Sequence, residues 1–517
     1  MKKVVFLYAM TLTLSVVHAQ PGTLDNSFGT GGKVTTTIGT SAFDEGYAIA
    51  LQADGKIVVA GKNYIGSFYD FGVARYNSNG TLDNTFGTGG KVTTSIRNYD
   101  DIAYSLAVQS DGKIVVAGYS DTTSLNNLVF ALVRYNSNGT LDNNFGSNGK
   151  AITAIGNYGS EINSIVIQND GKIVAAGYSY NGSQDEIALV RYNSNGTLDV
   201  TFGLGGKTTA SIGSNDRGSS LLLQPDGKIV VTGYSHSITS GSDFAIVRYN
   251  SNGILDNTFG SAGKVTTDFG LNDYGQSVAI QTDGKIVVGG FSADFPPNVF
   301  VLSRYNITGT LDTTFGSLGK VTTDISSGDD DEIHSLIIQA DGKIIATGFS
   351  GDYPISNDDF VLTRYNNNGT LDTTFGNSGK VITDFGNSID QARSSLIQSD
   401  GKIVVAGWSV NSPIAKFALA RYNGGNLGGL NDFTQGLPFT VFPNPFSSQI
   451  TFHSGNFLRN AILTLYNSFG QAVKQMNDLT GQEIILQREN PPSGLYFLRL
   501  MEGNSVLATD KLVITDK

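Results

Sequence analysis

The stretch from Leu82 to Asn136, LDNTFGTGGKVTTSIRNYDDIAYSLAVQSDGKIVVAGYSDTTSLNNLVFALVRYN, decides the fold, because its three fixed phrases return throughout the chain. Leu-Asp-x-x-Phe-Gly starts at Leu24, Leu82, Leu141, Leu198, Leu255, Leu311 and Leu371. Asp-Gly-Lys-Ile starts at Asp54, Asp111, Asp170, Asp226, Asp283, Asp341 and Asp400. Arg-Tyr-Asn starts at Arg75, Arg134, Arg191, Arg248, Arg304, Arg364 and Arg421. Seven copies of each, 56 to 60 residues apart, mark a repeat architecture.

Within the quoted unit the pattern predicts strands over Lys91 to Ile96, Tyr104 to Gln109, Lys113 to Ser120 and Val129 to Asn136. Ser-Asp-Gly joins the second to the third, and Asp-Gly favours the positive φ angles of a tight hairpin. Lys-Ile-Val-Val-Ala-Gly is almost continuously apolar, as a strand covered on both faces must be. Four antiparallel strands repeated seven times fit a β-propeller, whose radial closure leaves only short edges. The ends of the array favour a ring over an open solenoid. It begins with Leu-Asp-x-x-Phe-Gly and one strand, Lys33 to Ile38, and ends at Asn423 without that phrase. The last unit lacks an outer strand and the first segment supplies one.

The composition agrees with an all-β chain: 64 Gly supply turns, 11 Pro interrupt little, and no long amphipathic helix is visible. Lys2 and Lys3, the apolar run from Val4 to Val17 and the step Val17-His18-Ala19 predict a signal peptide over 1–19. No later apolar stretch is long enough to span a bilayer. Cysteine is absent, which excludes a disulfide framework, cysteine-ligated zinc and a thiol nucleophile. A net charge of −11 argues against a nucleic-acid partner.

The three phrases resemble the delta-60 repeat family, predicted to form a β-propeller, over residues 22 to 423. That family implies a fold and no particular activity. The expected organisation is therefore a signal peptide (1–19), a seven-bladed propeller (20–423), a Gly-rich linker (424–436) and a small Ig-like β-sandwich of six or seven short strands (437–517). The last segment resembles the C-terminal sorting domain of type IX secretion cargo of Bacteroidetes. The matching pieces are Pro443-Asn444-Pro445, Leu465 to Gln471, Gly494 to Phe497 and the terminal Lys511-Leu512-Val513. The resemblance implies type IX secretion machinery as partner, and a protein released outside the cell or attached to the outer-membrane surface.

Familiar catalytic signatures are missing: there is no Gly-x-Ser-x-Gly, no His-Glu-x-x-His and no calcium-binding Asp-x-Asp-x-Asp-Gly loop. His236, His334 and His453 fall in separate units or domains, against a His-centred metal site or triad. The seven arginines of Arg-Tyr-Asn and the seven Leu-Asp aspartates are expected to hold blades together through buried Arg–carboxylate bonds. Trp408 stands where other units have Tyr119, Tyr178 and Phe349, as a packing variant. Asp-Thr-Thr at Asp121, Asp312 and Asp372 fits a short glycosylation pattern reported for some Bacteroidetes, but three residues carry little weight and two of these belong to the frame.

Function is expected where blades differ. Strands alternate direction, so the two variable connections of each unit, such as Arg97 to Ile102 and Asp121 to Leu128, open on one face of the disc. The repeated frame carries a charge of +7 and the variable connections −19, so that face is acidic. Its densest patch is Asp329-Asp330-Asp331-Glu332, with Asp358 and Asp359 on the next connection. Such carboxylates suit calcium, with Asp329, Asp330 and Asp331 as ligands; a solvated loop tip has the same composition. Tyr99, Tyr158, Tyr274, Phe295 and Tyr353 would stack on sugar rings or cover the blade tops. The expectation is a surface or secreted module that binds a glycan or protein on this acidic face, with calcium as its one candidate cofactor. The alternatives are an extracellular polysaccharide-degrading enzyme using paired carboxylates and a structural surface component without a small ligand.

Overall fold

Asp-Gly between two apolar runs forces a hairpin, and in the computed structural model Gly55 sits there at φ 82° between strands Asp44–Leu51 and Ile57–Ile65. The structure describes residues 20–39, 43–121, 127–270, 272–293, 297–352, 357–386, 389–411, 414–425, 439–442, 446–467, 472–488, 493–502 and 505–515. They fall into two units, divided between Gly425 and Asn426. The expected signal peptide, most of the glycine-rich linker, Phe295, Tyr353 and Pro443-Asn444-Pro445 lie outside the described residues.

The first unit is built from one four-stranded antiparallel motif. In the first blade Asp44–Leu51 pairs with Ile57–Ile65, that with Phe68–Tyr76, and that with Lys91–Thr94 across the Leu-Asp-x-x-Phe-Gly connection. Seven blades follow the same order. Their first strands, from Asp44–Leu51 round to Ile389–Ile397, touch in sequence, and the seventh touches the first. These inner strands form a closed ring, so the fold is a seven-bladed β-propeller. Closure uses the exchange expected from the ends of the array. Lys33–Thr36 is the outer strand of the seventh blade, with Lys33 opposite Ala420 and Thr36 opposite Phe417.

Packing between blades explains the apolar run of each second strand. Ile114, Val115, Val116 and Ala117 are all fully buried. Alternate residues point to opposite faces, and here Ile114 and Val116 enter one inter-blade core while Val115 and Ala117 enter the next. Each such Ile or Val side chain is worth about 1.5–3 kcal/mol on burial.

Polar frame residues tie the blades at their outer corners. Arg75 Nε donates to Asp83 Oδ2 at 2.8 Å, and its guanidinium lies 4.7 Å from the centre of the Phe86 ring. Arg75 Nη1 also donates to the Ser137 carbonyl of the following blade. The pattern recurs in Arg134–Asp142, Arg191–Asp199, Arg248–Asp256, Arg304–Asp312 and Arg364–Asp372. Arg421 pairs with Asp25 at 2.8 Å and reaches the Ser78 carbonyl, which fastens the two ends of the ring.

The blades differ from the sequence reading at their entrances. The second inner strand starts at Asp101, three residues before Tyr104. The Asp101 carboxylate accepts from Ile96 N (2.6 Å) and Arg97 N (3.1 Å), which turns the chain inward and starts the strand early. For the same reason Asp329 to Glu332 are not loop: they open the strand Asp329–Ile338.

The second unit holds one sheet of Phe439–Phe442, Gln449–Asn467, Ala472–Gln487, Gly494–Glu502 and Ser505–Ile514. Among the described residues there are five strands, two of them long, where six or seven short ones were expected. The strand Gln449–Asn467 stays extended through several register shifts, with Asn460 at φ 51°. Bulges of this kind bend a strand without ending it. Phe446, Phe452, Leu463, Leu465, Leu498 and Leu512 form its core.

Candidate functional site

Every inner strand carries the same irregularity. Asp44 to Gly46 pair with Gly61 to Asn63, and pairing resumes one step out of phase at Ala48. The skipped residue is Tyr47, and its counterparts are Tyr104, Asn163, Ser219, Gln276, His334 and Arg393. A bulge leaves one residue unpaired and re-aims its side chain. Here all seven are aimed at one cavity of about 520 Å³, which they line with Glu161, Arg217, Glu332, Tyr178, Tyr234 and Phe291. Inner strands run away from the variable face; the bulges lie at mid-strand and Glu161, Arg217 and Glu332 two residues nearer the strand starts, so the cavity occupies the half of the channel that opens on that face. A glycine opposite makes room for the bulge: a Cβ on Gly348 would lie 1.7 Å from the Glu332 carbonyl oxygen.

The frame is constant and the channel is not. The seven bulge positions hold six residue types. A larger depression of about 870 Å³ lies between two outer edges, but repeated residues such as Leu141, Gly146, Lys150 and Lys207 line it. A similar groove recurs at Gly29, Lys33 and Val34.

Two polar clusters face each other across the channel. In one, Tyr178 OH donates to Glu161 Oε2 at 3.2 Å, and the Arg217 guanidinium lies 4.1 Å from the Tyr178 ring centre. Arg217 Nε donates to Asp185 Oδ2 at 2.6 Å. Burial raises the Glu161 carboxyl to about 7 against the pull of Tyr178 and Arg217. In the other, His334 stacks on Phe349 with ring centres 5.5 Å apart. Arg393 Nη1 lies 3.0 Å from His334 Nε2, and Glu332 Oε2 lies 3.4 Å from the same nitrogen. Burial and the Arg393 charge push the imidazole down to about 4, so it is neutral at physiological pH. Between the clusters Tyr47 and Tyr104 meet at 5.1 Å, and Tyr47 OH donates to Glu45.

The residues singled out from sequence are distributed among several tasks. Asp329 lies opposite Asp352 in the strand pairing. Asp330 Oδ1 accepts from Asn298 N (2.8 Å). Asp331 is fully buried, and its Oδ2 accepts from Ile325 N (2.7 Å). Burial pushes that carboxyl up to about 7. Asp44, Asp216 and Asp390 cap Ile38 N, Ile212 N and Phe385 N in the same way. Asp331 thus belongs to a fourth repeated feature, a buried aspartate at the blade entrance. Glu332 reaches the channel, and Asp358 Oδ2 accepts from Gln391 Nε2 (2.6 Å). Asp359 joins Asp384 and Asp390 in a group whose carboxylate oxygens lie within 4.8 Å of one another, as do those of Asp243, Asp268 and Asp273. Oxygen-only groups of this kind suit a hard cation. Trp408 is opposite Gln391, in the register that puts Tyr178 opposite Glu161 and Phe349 opposite Glu332.

The channel escaped the sequence reading because its residues sit within strands. The signal was present: aligned on the entrance position (Asp in six blades, Ser160 in the third), the second and fourth residues change from blade to blade in size and polarity, while the third stays Gly, Ala or Ile and the fifth Ser or Ala.

The described residues contain no helix long and apolar enough to cross a membrane. A comparison with the curated proteins finds no match. Among solved structures the chain is similar to PorZ, described as an essential bacterial surface component of the type IX secretion system of Porphyromonas gingivalis. The identity is 11%, the TM-score 0.39, and the match covers 90% of this chain and 59% of that one. The polysaccharide lyase Uly1 is similar at 12% identity and TM-score 0.44, over 80% of this chain and 94% of that one. Sqt1 from Chaetomium thermophilum is similar at 12% identity and TM-score 0.40, over 77% and 100%. Family models are more specific. A domain of unknown function described as the DUF5122 beta-propeller matches residues 52–86, 109–145, 168–202, 224–259, 281–315, 339–375 and 398–425, one segment per blade. The secretion system C-terminal sorting domain matches residues 440–515, which marks the chain for type IX secretion to the cell surface or beyond. The chain carries a DUF5122 β-propeller repeat domain of seven segments and a type IX C-terminal sorting domain.

Proposed function

We propose that this exported propeller is a surface or secreted binding module whose channel mouth holds part of a glycan. One observation carries the reading: on a sevenfold repeated frame, the residues that break the repeat converge on a single cavity. Its volume falls in the range of small-ligand sites. Aromatic faces at Tyr47, Tyr104, Tyr178 and Tyr234 supply flat platforms, and Asn163, Ser219 and Gln276 supply amide and hydroxyl groups for sugar hydroxyls. The acidic connections around the mouth contribute a field that draws cations, and the two three-carboxylate groups are the seats calcium would take.

The test is a glycan screen with the propeller, run with calcium and then with chelator, and followed by Trp408 fluorescence for each hit. Selective, saturable binding weakened about tenfold or more by Tyr104→Ala is expected, since losing ~1.4 kcal/mol of contact is already tenfold in affinity. Silence across the whole screen would sink the glycan reading.

A second reading, degradation of the bound polysaccharide, is favoured by Glu161. Its buried carboxyl near 7, touching Tyr178 in the cavity, is poised for proton transfer at neutral pH. That reading predicts chain shortening of a bound glycan, abolished in Glu161→Gln; intact glycan after prolonged incubation would refute it.

A further inference from the structure

Cations in this propeller are matched to carboxylates almost everywhere they are enclosed. The seven frame arginines rest on aspartates, and Arg217 rests on Asp185. Arg393 differs. Its hydrogen-bond partners are the His334 ring nitrogens, at 3.0 and 3.3 Å, and Gln391 Oε1 at 2.5 Å, all of them neutral groups. No carboxylate among the described residues forms an ion pair with it, and its Nε is buried without any partner. The nearest carboxylates, Glu332 and Asp358, stand one step away, on His334 and on Gln391. A half-buried guanidinium with no direct ion pair and a donor left over has room on its open side for an anion to complete it.

We propose that Arg393 anchors the acidic group, carboxylate or sulfate, of a charged sugar in the channel. This rests on the glycan reading above. Three features argue for it. A guanidinium presents a planar fork that matches such oxyanions with two parallel bonds, which a lysine would not do. Arg393 lies at a bulge, so its position is set by backbone pairing on both sides, Ala392 with Gly407 and Ser394 with Ala406. Its neighbours in the cavity are the remaining parts of a sugar site: His334 and the Tyr47 ring beside it, and Gln276 with Asn163 across the opening. The Phe349 ring, 5.8 Å from the guanidinium carbon, backs the charge from below. An acidic peptide would satisfy the charge alone. Amides and phenol hydroxyls set around aromatic faces fit a polyhydroxylated ring better.

The experiment uses the full chain from Gln20 and reads Trp408 fluorescence and titration calorimetry at pH 7. Four probes are compared: an oligogalacturonate, its fully methyl-esterified form, a sulfated galactan oligosaccharide, and a poly-glutamate peptide. The expected result is that the oligogalacturonate or the sulfated probe, or both, binds about tenfold or more tighter than the esterified one, as a charge-assisted pair implies. The advantage should disappear in Arg393→Gln and be partly kept in Arg393→Lys, which retains the charge without the fork. Circular dichroism reports whether each variant folds, and the Lys variant decides the matter if the Gln variant does not. Equal binding of acidic and esterified sugars would overturn this inference and leave the glycan reading standing. Binding of poly-glutamate alone would overturn it in favour of a protein ligand, and no carbohydrate binding at all would overturn both.

Discussion

Asp83 is asked to satisfy several donors at once. It accepts from Arg75 Nε and from the Thr85 amide and hydroxyl, with Lys56 Nζ 3.5 Å away. Burial alone would raise its carboxyl, but these hydrogen bonds and charges hold it down at about 2. The same environment keeps Asp199 well below the ordinary range. Removing one partner of such a buried pair strands the other. Asp199→Ala should therefore cost about 3–5 kcal/mol, read as a lower urea midpoint; a loss under 1 kcal/mol would mean the frame pairs are decorative. These residues were readable in the sequence as blade fasteners, since a charged pair demanded by all seven units is structural. Asp331 was not. Its phrase, Asp-Asp-Asp-Glu, looks like a loop tip, and only the backbone shows that one of the four carboxylates caps Ile325 N while another faces the channel.

At the scale of the strand, the bulge links frame to site. The glycine opposite each bulge exists for it: any side chain at Gly348 would collide with the Glu332 carbonyl. Gly348→Ala should lower stability by about 1–3 kcal/mol, seen as a fall in melting temperature. It should also weaken ligand binding more than an equally destabilising change in the outer frame, because Glu332 and His334 would shift. Equal effects would detach the bulge from function. Strand number, order and closure were legible from apolar runs and Asp-Gly turns. The bulge was not: it breaks the period of two, as the buried Ile162 and Ile165 three residues apart show, but a single break in so short a strand is easily passed over. Its consequence is large: it converts the fourth position of each inner strand from a lattice position into a channel position.

The whole molecule should respond to pH in two directions. Asp25 and Asp83, held at about 2, add stability that is complete above an unfolded value of about 4 and is lost as pH falls towards 2. Asp44 and Asp101, raised by burial to about 6, and Asp331 and Glu161, raised to about 7, work oppositely. Between pH 4 and 7 the folded chain binds more protons than the unfolded one, so stability falls as pH rises. His334, pushed down to about 4, opposes them as a single group below its unfolded value of about 6.5. The propeller should accordingly melt highest near pH 4 and lower at both pH 2 and pH 8; a maximum at pH 8 would contradict this balance. Closure offers another test at this scale. Truncation to Phe43 removes Asp25 and the strand Lys33–Thr36, leaves Arg421 without its carboxylate, and should abolish the cooperative transition.

The claim that matters most is that function lies in the channel and not on the acidic rim. The direct measurement compares two variants on one glycan screen: Tyr104→Ala with His334→Ala in the channel, and Asp329→Ser with Asp330→Ser at the rim. The account predicts that the channel variant loses the hits of the parent protein while the rim variant keeps them. Retention in the channel variant, with loss in the rim variant, would contradict it.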